Sequence, residues 1–287
     1  MISLDQYGDE DTCMSYIEKN NLLDKDSYKK YMEDFTFYEF ELEELGLPSA
    51  EELLQSTLDV EKEIGLYDWT TLKHSYNDYR GFSLTYNKNY VGEKDVYSQT
   101  LGSKITSQIY GFSNEDKPVE VVKNTYYDTL AFNQIQPLIY KKFGKLFDKI
   151  NCAVARSRIS YLYPAYTKLP DTAGIHVDEW PFYLMRINIP LKTNENHILQ
   201  SLGEDPLGNS LHFEKHLEVG KCYIWNTKIP HQVTIRNETD DPEPRIHIVL
   251  GVVPWFNFDN ETNSYIPNEN YKKPIKQIVE ERLFIQS

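Results

Sequence analysis

The chain has 287 residues, 40% hydrophobic and 14% aromatic, enough to bury a sizeable core in one large domain or one domain plus an extension. Its formal net charge is −14, nearly all of it in residues 1–65, where 18 acidic side chains face 5 basic ones. Such an acidic balance repels phosphate backbones and argues against a nucleic-acid partner, and the longest apolar run, IHIVLGVVPWF, reaches only about half a bilayer span, which argues against a membrane one.

In chain order, MISLDQYGDE lacks the basic-then-apolar pattern of a secretory signal. Residues 10–65 read as helices; in PSAEE, Ser49 is placed as an N-cap ahead of acidic first-turn residues. From YDWTTLKHSYNDYRGFSLTYN the pattern becomes aromatic and β-branched and reads as strands. Around 128–150, Phe132, Ile135, Ile139, Phe143, Leu146 and Ile150 mark one stripe of a helix that Pro137 must kink or restart. Short strands then dominate to about residue 256: CAVARSRISYLY, GIHVDEW, YLMRINIPLKT, LHFEKHL, KCYIWNT, HQVTIRN and RIHIVLGVVPWF, separated by LGEDPLGNS, EVGK and NETDDPEP. Many short strands close together predict a barrel or sandwich rather than βαβ units. The tail YKKPIKQIVEERLF ends in a short amphipathic helix. The expected organisation is an acidic helical extension (1–65), a β domain with a supporting helix (66–256) and a tail (257–287). Cys13, Cys152 and Cys222 are widely spaced and form no CxxC pair, which suits a reducing, cytoplasmic setting and argues against a disulfide framework or a zinc site.

Three features carry chemistry. His176 and Asp178, two apart, leave an extended strand on one face. His231 follows CYIWNTKIP, and Arg245 opens the apolar strand RIHIVLGVV. Two imidazoles and a carboxylate form the facial triad that holds a non-haem ferrous ion while leaving coordination positions open. Taken singly, each has a plainer reading: a structural His–Asp pair, a turn histidine, and an ion pair of Arg245 with Glu243. Their order over short strands is more specific.

The block HVDEWPFYLMRINIPLKTN … LEVGKCYIWNTKIPHQVTIRN … RIHIVLGV resembles the Fe(II)- and 2-oxoglutarate-dependent oxygenases, in particular their aspartyl/asparaginyl β-hydroxylase-like branch, which includes proline hydroxylases. The resemblance spans roughly residues 150–256. It implies a mainly β chain with flanking helices, built on a double-stranded β-helix of jelly-roll or cupin-like type. It also implies Fe(II), 2-oxoglutarate and O2 as reactants, with His176, Asp178 and His231 on the iron. Arg245 would clamp the far carboxylate of 2-oxoglutarate, and Arg186 would sit at its metal-proximal end. Asn188 stands where the branch often has a histidine, so hydrogen bonding to the co-substrate differs there. Retention of Asp178 favours hydroxylation over halogenation.

Further residues divide between site and structure. His247 shares a face with Arg245 and lies either beside the co-substrate carboxylate or in packing. Tyr161 is a candidate hydroxyl donor to the co-substrate. Trp180 and Tyr183 read equally as a substrate wall or a hydrophobic turn, and Arg158 as a contact for a substrate carboxylate or a strand ion pair. The expected activity is hydroxylation of an amino acid or amino-acid side chain, free or in a peptide. The alternatives are a binding barrel without turnover and a hydrolase or isomerase on a cupin-like barrel. The N-terminal helices could cover the barrel, present substrate or mediate homo-oligomerisation.

Overall fold

The computed structural model describes residues 2–3, 25–70, 75–90, 95–101, 129–163, 177–205, 207–235 and 243–286. In chain order its elements are Ile2–Ser3 (β1), Lys25–Met32 (α1), Phe37–Glu41 (β2), Ala50–Ile64 (α2), Tyr67–Thr70 (β3), Ser75–Ser83 (β4), Thr85–Tyr86 (β5), Gln134–Ile135 (β6), Pro137–Phe147 (α3), Ala153–Val154 (β7) and Arg158–Leu162 (β8). Met185–Lys192 (β9), His197–Glu204 (β10), Ser210–His216 (β11), Lys221–Trp225 (β12), His231–Ile235 (β13), Arg245–Val253 (β14), Phe256–Asp259 (β15), Ser264–Pro267 (β16) and Ile275–Glu280 (α4) complete them.

Two antiparallel sheets build the jelly roll. The major sheet runs β2-β12-β9-β14-β8-β4-β3, with β7 also on β14, and the minor sheet runs β11-β10-β13. After β9 the chain passes to the minor sheet for β10 and β11, returns for β12, crosses for β13 and returns for β14. This alternation places sequence-distant β8, β14, β9 and β12 side by side and is the winding of a double-stranded β-helix.

The pleat divides the major sheet into two faces. Ile159, Ile187, Ile189, Ile224, Ile246, Ile248 and Leu250 are buried in the core shared with the helices. Helix α2 packs on β9 and α3. It starts at the expected Ser49, which accepts from the Glu52 N–H at 3.2 Å while Glu52 accepts from the Ser49 N–H at 3.3 Å, a capping box. On the opposite, inner face, Tyr223 and Trp225 meet Leu199 of the minor sheet, with Phe37, Phe213 and Val233 packed around them.

Several expectations change. Residues 10–65 are not a helical extension throughout: Phe37–Glu41 mixes aromatic and acidic residues and pairs along the edge of β12. Pro137 restarts rather than kinks its helix, because it occupies the first helical turn, where no N–H is needed. His197–Glu204, not among the expected strands, forms β10, whose seven paired positions with β11 make a hairpin. Residues 177–180 are not strand. Residues 164–176 lie outside the described set, and His176 with them. None of the described helices is long and apolar enough to cross a membrane.

Candidate metal and anion site

The site grows from the short connection before β9. The Asp178 N–H donates to the Thr227 carbonyl at 2.8 Å, and the Thr227 hydroxyl donates to the Glu179 carbonyl at 2.7 Å. These two bonds tie the carboxylate-bearing turn to the loop that leads into β13. His231, the first residue of β13, is thereby brought to Asp178 from more than fifty positions away: its Nε2 lies 3.4 Å from Asp178 Oδ2. The ring is oriented from behind. Nδ1 is 2.9 Å from the Ile229 carbonyl, an acceptor only, so Nδ1 donates and Nε2 is the nitrogen that faces Asp178. Trp225 packs edge-on against the imidazole at 5.8 Å, and His231 is buried.

These two groups fit one metal ion. Ligands each about 2.1 Å from a common ion lie about 3.0 Å apart at a right angle and about 3.4 Å apart at a tetrahedral angle, which brackets the observed separation. One neutral imidazole and one carboxylate also suit ferrous iron. Among the described residues, no group of three His, Cys, Asp or Glu side chains stands together as a metal site. A third ligand from His176 falls outside those residues.

Behind Asp178 lies a buried ion network. Arg186 Nη1 donates to Asp178 Oδ2 at 2.6 Å, and Arg186 Nη2 pairs with Glu179 Oε2. Arg156 Nη1 pairs with Glu179 Oε1. Glu179 is 0% exposed. Burial alone would raise its carboxyl, but Arg186 and Arg156 outweigh that and hold it below the usual carboxylate range. Two acids and two cations thus balance within one cluster. Arg186 therefore stands beside the Asp178 corner, its guanidinium engaged by both the Asp178 and the buried Glu179 carboxylates. Arg156 and Glu179 were missed as site residues. The adjacency of Glu179 to Asp178 was the available signal.

The ladders sort the remaining expected residues. Val249 is opposite Arg158 on β8 and Asn188 on β9, His247 is opposite Ser160 and Pro190, and Asn188 is opposite Tyr223. Opposite residues share a face. Arg158, Asn188, His247 and Arg245 therefore stand on the inner face with Tyr223. Arg245 donates from Nε to His247 Nε2 at 2.7 Å, and its Nη2 lies 2.9 Å from His247 Nδ1. Burial pulls the Arg245 guanidinium down to about 10. Burial, then Arg245, His197 and His216, hold His247 well below the ordinary imidazole range, so it is neutral. Among the described residues no carboxylate pairs with Arg245. In register, Arg245 sits at the end of β14 remote from Gly251, which is opposite Arg186.

The expectation for Tyr161 fails. Tyr161 faces the helical layer, where its hydroxyl donates to Glu61 Oε2 at 2.6 Å on α2; strand alternation puts it on the opposite face from Arg158. Tyr183 is buried in the hydrophobic core, in keeping with the hydrophobic-turn alternative rather than a substrate wall. Trp180 stacks on Phe182 at 5.8 Å and carries the Lys228 amine 5.5 Å over its ring. Burial draws Lys228 down to about 8, partly offset by Glu179 and Asp178. This lysine beside the Asp178 corner had no recognisable sequence signal.

No protein-family model and no curated protein matches the chain. Among solved structures, an oxidoreductase of the 2OG-Fe(II) oxygenase family from Burkholderia pseudomallei is 14% identical, covering 79% of this chain and 89% of its own at a TM-score of 0.38. IDO from Bacillus thuringiensis is 16% identical, covering 80% and 98% at 0.37. The non-heme alpha ketoglutarate dependent epimerase SnoN from nogalamycin biosynthesis is 10% identical, covering 84% and 82% at 0.37. The chain is similar to these in outline, and the functional reading rests on its own site.

Proposed function

We propose that this chain is an Fe(II)- and 2-oxoglutarate-dependent dioxygenase that hydroxylates an unactivated C–H bond of an amino acid or amino-acid side chain. The supporting observation is the pair of His231 Nε2 and Asp178 Oδ2, 3.4 Å apart, with the imidazole oriented through Nδ1. Asp178 and His231 would hold the iron together with His176. Bound iron would supply O2 activation coupled to oxidative decarboxylation of 2-oxoglutarate, releasing succinate and CO2.

The chain's own residues set the conditions for that chemistry. Arg186 orients Asp178, and the Ile229 carbonyl fixes the His231 tautomer. Arg245, free of an acid partner among the described residues, offers a planar two-donor fork to the far carboxylate of 2-oxoglutarate. His247, neutral and in contact with Arg245, adds no second charge. The aromatic inner face around Tyr223 and Trp225 excludes water from the reacting centre.

A second reading is a metal-binding barrel without turnover, or one serving hydrolysis or isomerisation. One contact favours it: Arg186 occupies the same Asp178 oxygen that faces His231. The deciding experiment loads the purified chain anaerobically with Fe(II), adds 2-oxoglutarate and O2, and follows succinate by mass spectrometry. Succinate formation that falls at least tenfold in Asp178→Ala and Arg245→Ala supports the dioxygenase. Tight metal binding with no succinate above the metal-free control refutes it.

A further inference from the structure

The inner face holds a second cation that the proposed reaction leaves unused. Arg158, Val249 and Asn188 form one row across β8, β14 and β9. The arginine and the amide flank Val249, their Cα atoms about 9–10 Å apart, or two strand spacings. Each is 5% exposed. Among the described residues, Arg158 Nε and Asn188 Nδ2 have no hydrogen-bond partner and no carboxylate pairs with Arg158. Two buried donors on one face, one of them charged, are costly to leave unsatisfied.

The guanidinium is also held ready. Its Cζ lies 5.3 Å over the Trp69 ring, and Trp69 stacks on Tyr79 at 4.3 Å and 6°. A guanidinium is planar and carries its N–H donors along its edges. What fits between such an edge and a primary amide is an acceptor-only planar group with two oxygens.

We propose that Arg158 and Asn188 form a subsite for the carboxylate of a small organic acid lying over Val249. In taking the inner face as a ligand cavity it rests on the function proposed above; its separate support is the pair of unsatisfied donors. The same chemistry could belong to the co-substrate or to the substrate.

The test is calorimetric titration of the metal-free full chain with 2-oxoglutarate, succinate and the twenty L-amino acids. Wild type, Arg158→Met, Arg158→Lys, Asn188→Leu and Arg245→Ala are compared, with folding checked by thermal unfolding. We expect at least one acid to bind wild type, to lose tenfold or more in Arg158→Met, and to lose less in Arg158→Lys and Asn188→Leu. The primary amide of that acid should not bind. Without ligand, Arg158→Met should melt no lower than wild type, because it removes a buried charge that no carboxylate among the described residues offsets. A fall in 2-oxoglutarate affinity assigns the subsite to the co-substrate; a fall for an amino acid with 2-oxoglutarate unchanged assigns it to the substrate. The subsite is refuted if no acid binds wild type, or if every acid that does binds the folded Arg158 variants within twofold. Arg158-dependent binding of an acid without iron-dependent succinate formation would refute the dioxygenase and leave the subsite standing.

Discussion

Replacing Glu179 with glutamine tests the ion network that holds the metal corner. Glu179 is fully buried, and its two oxygens take different arginines, Arg156 and Arg186, themselves 2% and 7% exposed. Glutamine keeps the shape but removes the charge, leaving two buried guanidiniums with Asp178 as their remaining nearby acid. Breaking one side of a buried pair costs about 3–5 kcal/mol, because the partner is left uncompensated. In a chain of this length roughly 2 °C of melting temperature is lost per kcal/mol, so Glu179→Gln should melt about 6–10 °C lower. Differential scanning calorimetry at neutral pH reads this directly. The pH dependence supplies an independent sign. The folded Glu179 carboxyl lies below its ordinary value, so its stabilisation is complete above about pH 4.3 and is lost as the pH falls toward the folded value. The gap between wild type and variant should therefore close on acidification below about pH 4. A variant melting within 2 °C of wild type, or a gap that widens in acid, would refute the network's role.

Further outcomes follow from the same geometry. Asp178→Ala and His231→Ala should each lower Fe(II) or Co(II) affinity at least tenfold, read by metal analysis after anaerobic dialysis. Gly251→Ala should destabilise by about 1–3 kcal/mol, since its Cβ would lie 2.1 Å from the Ala155 carbonyl oxygen and 3.1 Å from Leu184 Cδ1; chemical denaturation measures this. Burial raises the Cys152 and Cys222 thiols to about 12, so at about pH 8 peptides carrying them should stay unlabelled by iodoacetamide until denaturant is added. Tyr161→Phe removes only a hydroxyl bound to Glu61, so it should lower stability by about 1 kcal/mol while leaving 2-oxoglutarate affinity unchanged.

Much of the fold was legible because its signals are local. Alternation in MRINIPLK and RIHIVLGVV, the Ser49 cap and the stripe from Ile139 to Leu146 depend on neighbours within one turn or one pleat. The edge strand FYEFE was not legible. Its aromatic and acidic residues fit an amphipathic helix as well as a strand, and only the free edge of β12 selects the strand. β10 was obscured for a similar reason: its polar residues meet β11 and β13 rather than a continuous core. The site was legible as far as residue types carry it. Asp178, His231 and Arg245 could be named from order and chemistry, whereas the faces of Tyr161 and Arg158 depend on register, in which one step exchanges interior for exterior.

The sequence by itself determined which chemical groups the chain owns, and through side-chain periodicity most of the segments that carry them. The tertiary structure alone decided which groups meet. The approach of His231 to Asp178, the sharing of Glu179 between Arg156 and Arg186, and the row joining Arg158 to Asn188 all join parts of the chain that are brought together only when the sheets wind. The physical reason is that backbone preference acts over a few residues, while the pairing of buried charges and orphaned donors is settled by strand order and register, which the burial of the whole core imposes at once.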